Sequence, residues 1–287
     1  MSTILITGAS GFIGKALALA LSERHDVIGM SRSDPQLKNP WIKGEFASFE
    51  DLRQLDRHTI DAVVHLGAVT GGCSERDGLL VNVEGTRCLM RYLMDRGCRK
   101  FVMASSIAAV GLQSTKFRPL QLPIPDEHPC LDRNGYGLSK HLMEEVTKYY
   151  QRQNEELDVI NLRLAAIFPD DKPWGPAGIR PIAEWCLAGV SCMPLSDAVQ
   201  AFVLASQTPC KPGMRILNAV PPRIWATAPT AEILRNWWGK DVDLSRFEQT
   251  ANLFAPVFDA TRIRQELGFV AEHAAEILRT KQAGVVG

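Results

Sequence analysis

Short apolar runs separated by amphipathic stretches set the first expectations for this chain. Ile4-Leu5-Ile6 is an apolar run of strand length, and a helical stripe carried by Leu17 and Leu21 follows it. Val27 to Met30, Asp61 to Leu66, Lys100 to Ala104 and Val159 to Leu162 read as further strands, with helical spacing over 79–96 and 136–152. The second of these helices is expected to begin just after the turn signal Asn134-Gly135. Strands that alternate with helices predict a parallel sheet covered on both faces.

After Phe168 the pattern breaks. Pro169, Pro173, Gly175, Pro176, Gly178 and Pro181 crowd one segment, which predicts a loop-rich insertion. A helix near 197–206 and a strand near 215–219 lead back to the sheet, and short helices joined by loops are expected from Pro221 onward. The expected organisation is one larger domain, 1–168 with 195–220 returning to it, and a smaller subdomain made of 169–194 and 221–287.

Composition narrows the classes. Lys and Arg total 32, as do Asp and Glu, so the formal charge is zero and no long-range field draws nucleic acid or an anionic membrane. Seven cysteines (73, 88, 98, 130, 186, 192 and 210) form no Cys-x-x-Cys pair, which points to reduced thiols in a cytoplasmic protein and to no metal. No signal peptide and no apolar run of membrane-spanning length is visible.

Two local patterns carry chemistry. Gly8, Gly11 and Gly14 form G-x-x-G-x-x-G between the first strand and the first helix. Such spacing makes a tight turn, lets backbone approach a dinucleotide pyrophosphate, and lets the helix pack on the strand, while the helix N-terminus attracts the phosphates. Ser10, Phe12 and Ile13 lie within this motif. Ser31-Arg32 stands where an acid would bind the ribose of NAD; an arginine there pairs with the extra phosphate of NADP, so NADP is expected, with NAD open through Asp34. In Tyr136-Gly137-Leu138-Ser139-Lys140 the phenol and the ammonium share one helical face. The cation favours phenolate; moving a tyrosine from about 10 to near 7 takes roughly 4 kcal/mol. A tyrosine so tuned is a general acid/base at neutral pH. Ser105-Ser106 ends a strand, where open α/β sheets bind their ligands.

Taken in order, these patterns resemble the extended short-chain dehydrogenase/reductase family, including its NAD(P)-dependent epimerase/dehydratase group, over nearly the whole chain. Leu66-Gly67-Ala68 resembles the family's cofactor loop after its fourth strand, Asn82 the start of its Asn-containing helix, and Glu45-Phe46 its adenine-side pair. Asp197 and Leu267-Gly268-Phe269 match later segments. The resemblance implies a Rossmann doubly wound parallel sheet with a small C-terminal substrate-binding subdomain. It implies that Tyr136 is the general acid/base, that Lys140 lowers its pKa and binds the nicotinamide ribose, and that Ser106 holds the substrate oxygen. Arg163 matches an arginine with a structural role.

The implied activity is hydride transfer on a sugar or nucleotide-sugar type substrate by an oxidoreductase or epimerase. Ile107-Ala108 replaces the acidic pair of the family's dehydratases, and Ala166 stands where its epimerases carry a diphosphate-binding asparagine. These departures, with the short stretch from Arg163 to Asp197, keep a uronate or aldehyde-type dehydrogenase or reductase open. A non-catalytic dinucleotide-binding redox sensor is the reading from another class; retention of both Tyr136 and Lys140 weighs against it. The helices over 79–96 and 136–152 resemble the family's dimer pair, so a homodimer is expected. His128 reads as a solvated loop residue, Trp237-Trp238 as core packing, and Cys73 as a residue of a cofactor-side loop.

Overall fold

The computed structural model describes residues 2–111, 116–174 and 190–274. Gly175, Pro176, Gly178, Pro181 and Cys186, all part of the expected insertion or cysteine set, lie outside the described residues, as do the last thirteen positions of the expected subdomain.

The sheet has seven strands in the order β3-β2-β1-β4-β5-β6-β9. Here β1 is Thr3–Thr7, β2 Asp26–Ser31, β3 Trp41–Lys43, β4 Ala62–His65, β5 Lys100–Ser106, β6 Asp158–Leu164 and β9 Gly213–Ala219. The order reverses at β1, whose neighbours β2 and β4 both pair with it in parallel. β3 joins β2 and β5 joins β4 in parallel as well. β1, β4 and β6 are buried almost without a break, so both faces are covered, which explains why Ile4–Ile6 and Ala62–Val64 are apolar without alternation. β3 has only three residues and was not legible as a strand. A separate two-stranded ribbon pairs β7 (Ala166–Phe168) with β8 (Cys192–Pro194).

Helix α1 (Phe12–Leu21) buries Gly14, Leu17, Ala18 and Leu21, and a short α2 spans Phe49–Leu52. The expected 79–96 helix is compound: a short α3 (Glu75–Asp77), a π-helical stretch Gly78–Glu84, then α4 (Gly85–Met94). Asn134-Gly135 is a helix start and not a separate turn. Helix α5 spans Gly135–Gln153, and Asn134 caps it by accepting the Gly137 amide at 2.9 Å. Leu89, Met90, Leu93, Phe101, Met103, Met143 and Val159 join the core beneath α4 and α5. Each such side chain contributes about 1.5–3 kcal/mol relative to exposure. Lys100 opens β5 and Asp158 opens β6; both are buried and pair with each other, and Asp158 also pairs with Arg215.

The chain forms two compact units. The first holds the residues up to Ser105, with Asn134–Leu162 and Val199–Ile216; the second holds Ser106–Arg133, Arg163–Ala198 and the residues from Leu217. This division differs from the expected one, because 106–133 groups with the C-terminal residues. The reason is local bonding: Ile124 bridges Phe258, its amide donates to Val257 O at 2.8 Å, and the Asn218 amide side chain donates to the carbonyls of Ile124 and Asp259. In the same unit Arg163 donates to Asp126 O at 2.8 Å. Asp197 is buried and accepts from the amides of His273 and Ala274. His128 is buried and not solvated: its Nε2 accepts the Leu120 amide at 2.9 Å, which leaves Nδ1 to donate to Pro129 O. Trp238 is buried, with Arg118 over its ring.

Candidate active site

In the first unit a cavity of about 260 Å³ opens over the ends of β1, β2 and β4. Gly8, Ser10 and Gly11 form one side, Ser31, Arg32, Glu45 and Phe46 another, and Leu66, Gly67 and Ala68 a third. Ser33, Val69 and Val81 line it too; each sits one to three residues from a motif position and carries no pattern of its own. Phe12, Ile13, Gly14 and Asn82 do not line it.

The glycine turn is fixed by packing. Gly8 has φ of +70°, where L side chains are strained, and its amide donates to Met30 O at 2.8 Å. A Cβ on Gly14 would lie 2.3 Å from Gly8 O, so the first turn of α1 rests directly on the loop. Gly11 is the N-cap of α1, no side chain caps the helix, and its first turn holds no acid. An exposed helix start so arranged favours an anion. These features fit the diphosphate of a dinucleotide, with Gly8, Ser10 and Gly11 as the residues to hold it.

Ser31, Arg32 and Asp34 stand at and just after the end of β2. Arg32 is exposed and lines the cavity. The Ser31 hydroxyl is buried and engaged, donating to Ser33 O at 2.8 Å and accepting from Trp41 Nε1 at 3.0 Å. Asp34 does not line the cavity; its carboxylate accepts the Gln36 amide at 2.7 Å.

Phe46 lies between two glycines. A Cβ on Gly67 would come within 2.4 Å of one edge of its ring, and one on Gly85 within 2.3 Å of the other. Its ring centroid is 4.8 Å from that of His65, edge to face. His65 is buried with both ring nitrogens bonded, Nδ1 to Thr7 Oγ1 at 2.6 Å and Nε2 to Thr86 Oγ1 at 3.2 Å. Burial first, then the nearby Lys140 cation, lowers its pKa to about 3, so the imidazole is neutral.

Asn82 is a clamp. Its side chain accepts the Val69 amide at 2.9 Å, donates to Val69 O at 3.0 Å and donates to Ser139 Oγ at 2.9 Å. Ser139 in turn donates to Tyr136 O at 2.8 Å. The cavity loop is thereby tied to the first turn of α5.

On that turn stands Tyr136, and Lys140 lies one turn further with its Nζ 5.9 Å from the Tyr136 ring centroid. Lys140 is buried and donates to Ala104 O in β5 at 2.7 Å. Burial lowers its pKa to about 8, against the opposing pull of Glu144 and Cys73. An ammonium this poorly hydrated acts strongly on a neighbouring phenol. Glu144 is fully buried and accepts from Ser105 Oγ at 2.6 Å. Sequence reasoning passed over it, although one further step of four residues from Lys140 reaches it. In the second unit, Ser106 is the N-cap of the 3-10 turn Ile107–Val110 and accepts the Ala108 amide at 3.1 Å.

Residues 4–172, more than half of the chain, match the NAD dependent epimerase/dehydratase family. The chain is 28% identical over 167 residues to dTDP-4-dehydro-6-deoxyglucose reductase of Escherichia coli, covering 52% of this chain and 51% of the relative. It is 29% identical over 183 residues to UDP-glucose 4-epimerase of Cyamopsis tetragonoloba, covering 56% and 51%. It thus spans about half the length of these curated relatives. A crystal structure of a short-chain dehydrogenase/reductase superfamily protein from Agrobacterium tumefaciens with bound NAD superposes with a TM-score of 0.70 at 22% identity, over 98% of each chain. The Rossmann fold is therefore shared, and the chain belongs to the NAD dependent epimerase/dehydratase family.

Proposed function

We propose that this protein is an NAD(P)-dependent oxidoreductase or epimerase that acts by hydride transfer at a hydroxyl-bearing carbon of a sugar or nucleotide sugar. The observation that carries the reading is the buried Lys140, held by Ala104 O one helical turn from Tyr136. Among the described residues Lys140 makes no direct ion pair of the kind that Lys100 makes with Asp158, so its charge acts on the phenol. The bound dinucleotide supplies the hydride acceptor and donor. Tyr136 takes the proton of the substrate hydroxyl when the carbon is oxidised and returns it when the carbonyl is reduced. Lys140 stabilises the phenolate between these steps and serves the nicotinamide ribose. Ser106, at the end of β5, is the hydroxyl we assign to the substrate oxygen.

The exposed Arg32, the engaged Ser31 and the position of Asp34 outside the cavity all support NADP as the preferred cofactor. We assign cofactor binding to the first compact unit and the substrate side to the second. Leu79 and Leu80 of the π-helical stretch, with Leu138 and Tyr149 of α5, are large exposed apolar residues that support a homodimer. Among the described residues no helix is long and apolar enough to cross a membrane; a cytoplasmic location is the reading we keep from the cysteine spacing. A uronate or aldehyde-type dehydrogenase is the second reading. It is favoured by Ala166, which lies in β7 and offers no side-chain donor for a diphosphate.

The test is Tyr136→Phe, assayed with nucleotide sugars, free sugar acids and aldehydes. We expect turnover to fall about 100- to 10,000-fold with dinucleotide affinity kept. Unchanged turnover refutes the assignment, and binding without turnover in the parent protein favours the sensor.

A further inference from the structure

Two successive residues of β5 hold two successive turns of α5. Ala104 O accepts from Lys140 Nζ at 2.7 Å, and Ser105 Oγ donates to Glu144 at 2.6 Å. Lys140, Glu144 and Ser105 are all buried, Glu144 completely. A carboxylate at such depth is costly unless bonded and matched by a cation. Lys140 and Glu144 are four residues apart, so they share one face of the helix. We infer that Glu144 is a positioning residue that keeps Lys140 in its ammonium form beside Tyr136, acting from one turn further along the same helix. This deepens, and rests on, the reading of Tyr136 and Lys140 as the acid/base pair.

The groups that face Lys140 can be named by element. From α5 come Tyr136 and Glu144, from β4 the neutral His65, from the loop after β4 the Cys73 thiol, and from β5 the Ala104 carbonyl. Of the charged partners, Glu144 is the strongest to favour the ammonium against the burial that disfavours it. With Lys140 near 8 most of it is charged at pH 7; a fall of about one unit would leave roughly half of it neutral, and the phenol would lose its cation half of the time.

The experiment is an NMR titration of the cofactor-free protein labelled with 13C at lysine Cε, the Lys140 resonance being identified by its loss in Lys140→Met. Glu144→Gln keeps an acceptor for Ser105 and removes the charge. We expect the Lys140 midpoint to fall by about one unit, a tenfold change in its ionisation. In the oxidative direction the low-pH limb of kcat/KM should move to higher pH. An unmoved midpoint overturns the inference, even if activity drops, because a merely structural carboxylate would not set it. Should Glu144→Gln fail to fold, Ser105→Ala carries the test: it keeps the charge but frees its anchor, and a smaller downward shift is expected, none overturning the proposal. A shifted midpoint together with a fully active Tyr136→Phe would leave the Glu144–Lys140 coupling standing and refute the acid/base reading instead.

Discussion

Acidification from pH 8 to pH 5 tests the burial of His65. In the fold its pKa is about 3, against 6.5 for an ordinary histidine. Between these values the unfolded chain binds a proton that the native protein does not, so stability is complete above about pH 6.5 and is lost as the pH falls toward 3. Below both values the loss is on the order of 5 kcal/mol, and at pH 5 about 2 kcal/mol, from 1.36 kcal/mol per unit. Asp126 works the other way. Burial raises its pKa to about 6, so its neutral form favours the fold as the pH drops through that range, and a bare pH profile of the parent mixes the two. The comparison is therefore with His65→Asn, which keeps a polar partner for Thr7 and Thr86 but does not titrate. Urea unfolding followed by tryptophan fluorescence at pH 8 and pH 5 gives the difference between the two proteins. The parent's advantage should shrink by about 2 kcal/mol at pH 5. An advantage that is the same at both pH values would mean that His65 titrates alike in the folded and unfolded states, and would refute the argument.

Three further outcomes follow from the cavity. Gly14→Ala puts a methyl against the Gly8 carbonyl, which has nowhere to go; a loss of about 1–3 kcal/mol in thermal unfolding is expected, with weakened dinucleotide binding. Gly85→Ala meets the Phe46 ring, a side chain that can be removed, so the double variant with Phe46→Ala should lose less than the sum of the singles by about 1 kcal/mol; strict additivity would show that the ring is not wedged. Arg32→Ala should weaken NADPH binding about tenfold or more while NADH changes by less than about threefold, read by fluorescence titration; equal effects would sink the NADP preference.

The parts of this molecule that were legible in the sequence are those whose cause is local. Gly11 and Gly14 announce their turn because the close approaches they permit are local, to Gly8 O, although the room that Gly8 itself leaves is taken by Leu66 and Gly67. Tyr136 and Lys140 announce a shared face because helical spacing alone puts them there. What was hidden depends on partners distant in sequence. β3 is a strand because β2 pairs with it, and three residues carry no period. Residues 106–133 read as part of the sheet domain, yet Ile124 is bonded to Val257 and bridged to Phe258. A glutamate on a helix reads as a solvated residue, and only the placement of Ser105 shows Glu144 to be buried. Asn82 sits among cofactor motif residues, but its donors and acceptor are used within the protein.

The Asn82 clamp makes the cavity loop and the start of α5 a single mechanical piece. Through Val69 on one side and Ser139 on the other, whatever orders the loop also orders the turn that presents Tyr136. Linkage of this kind is reciprocal. A ligand that fills the cavity therefore favours the ordered turn that presents Tyr136, and a substitution that loosens that turn weakens the ligand. On the proposed function, dinucleotide occupancy and the alignment of the Tyr136 phenol would then rise and fall together.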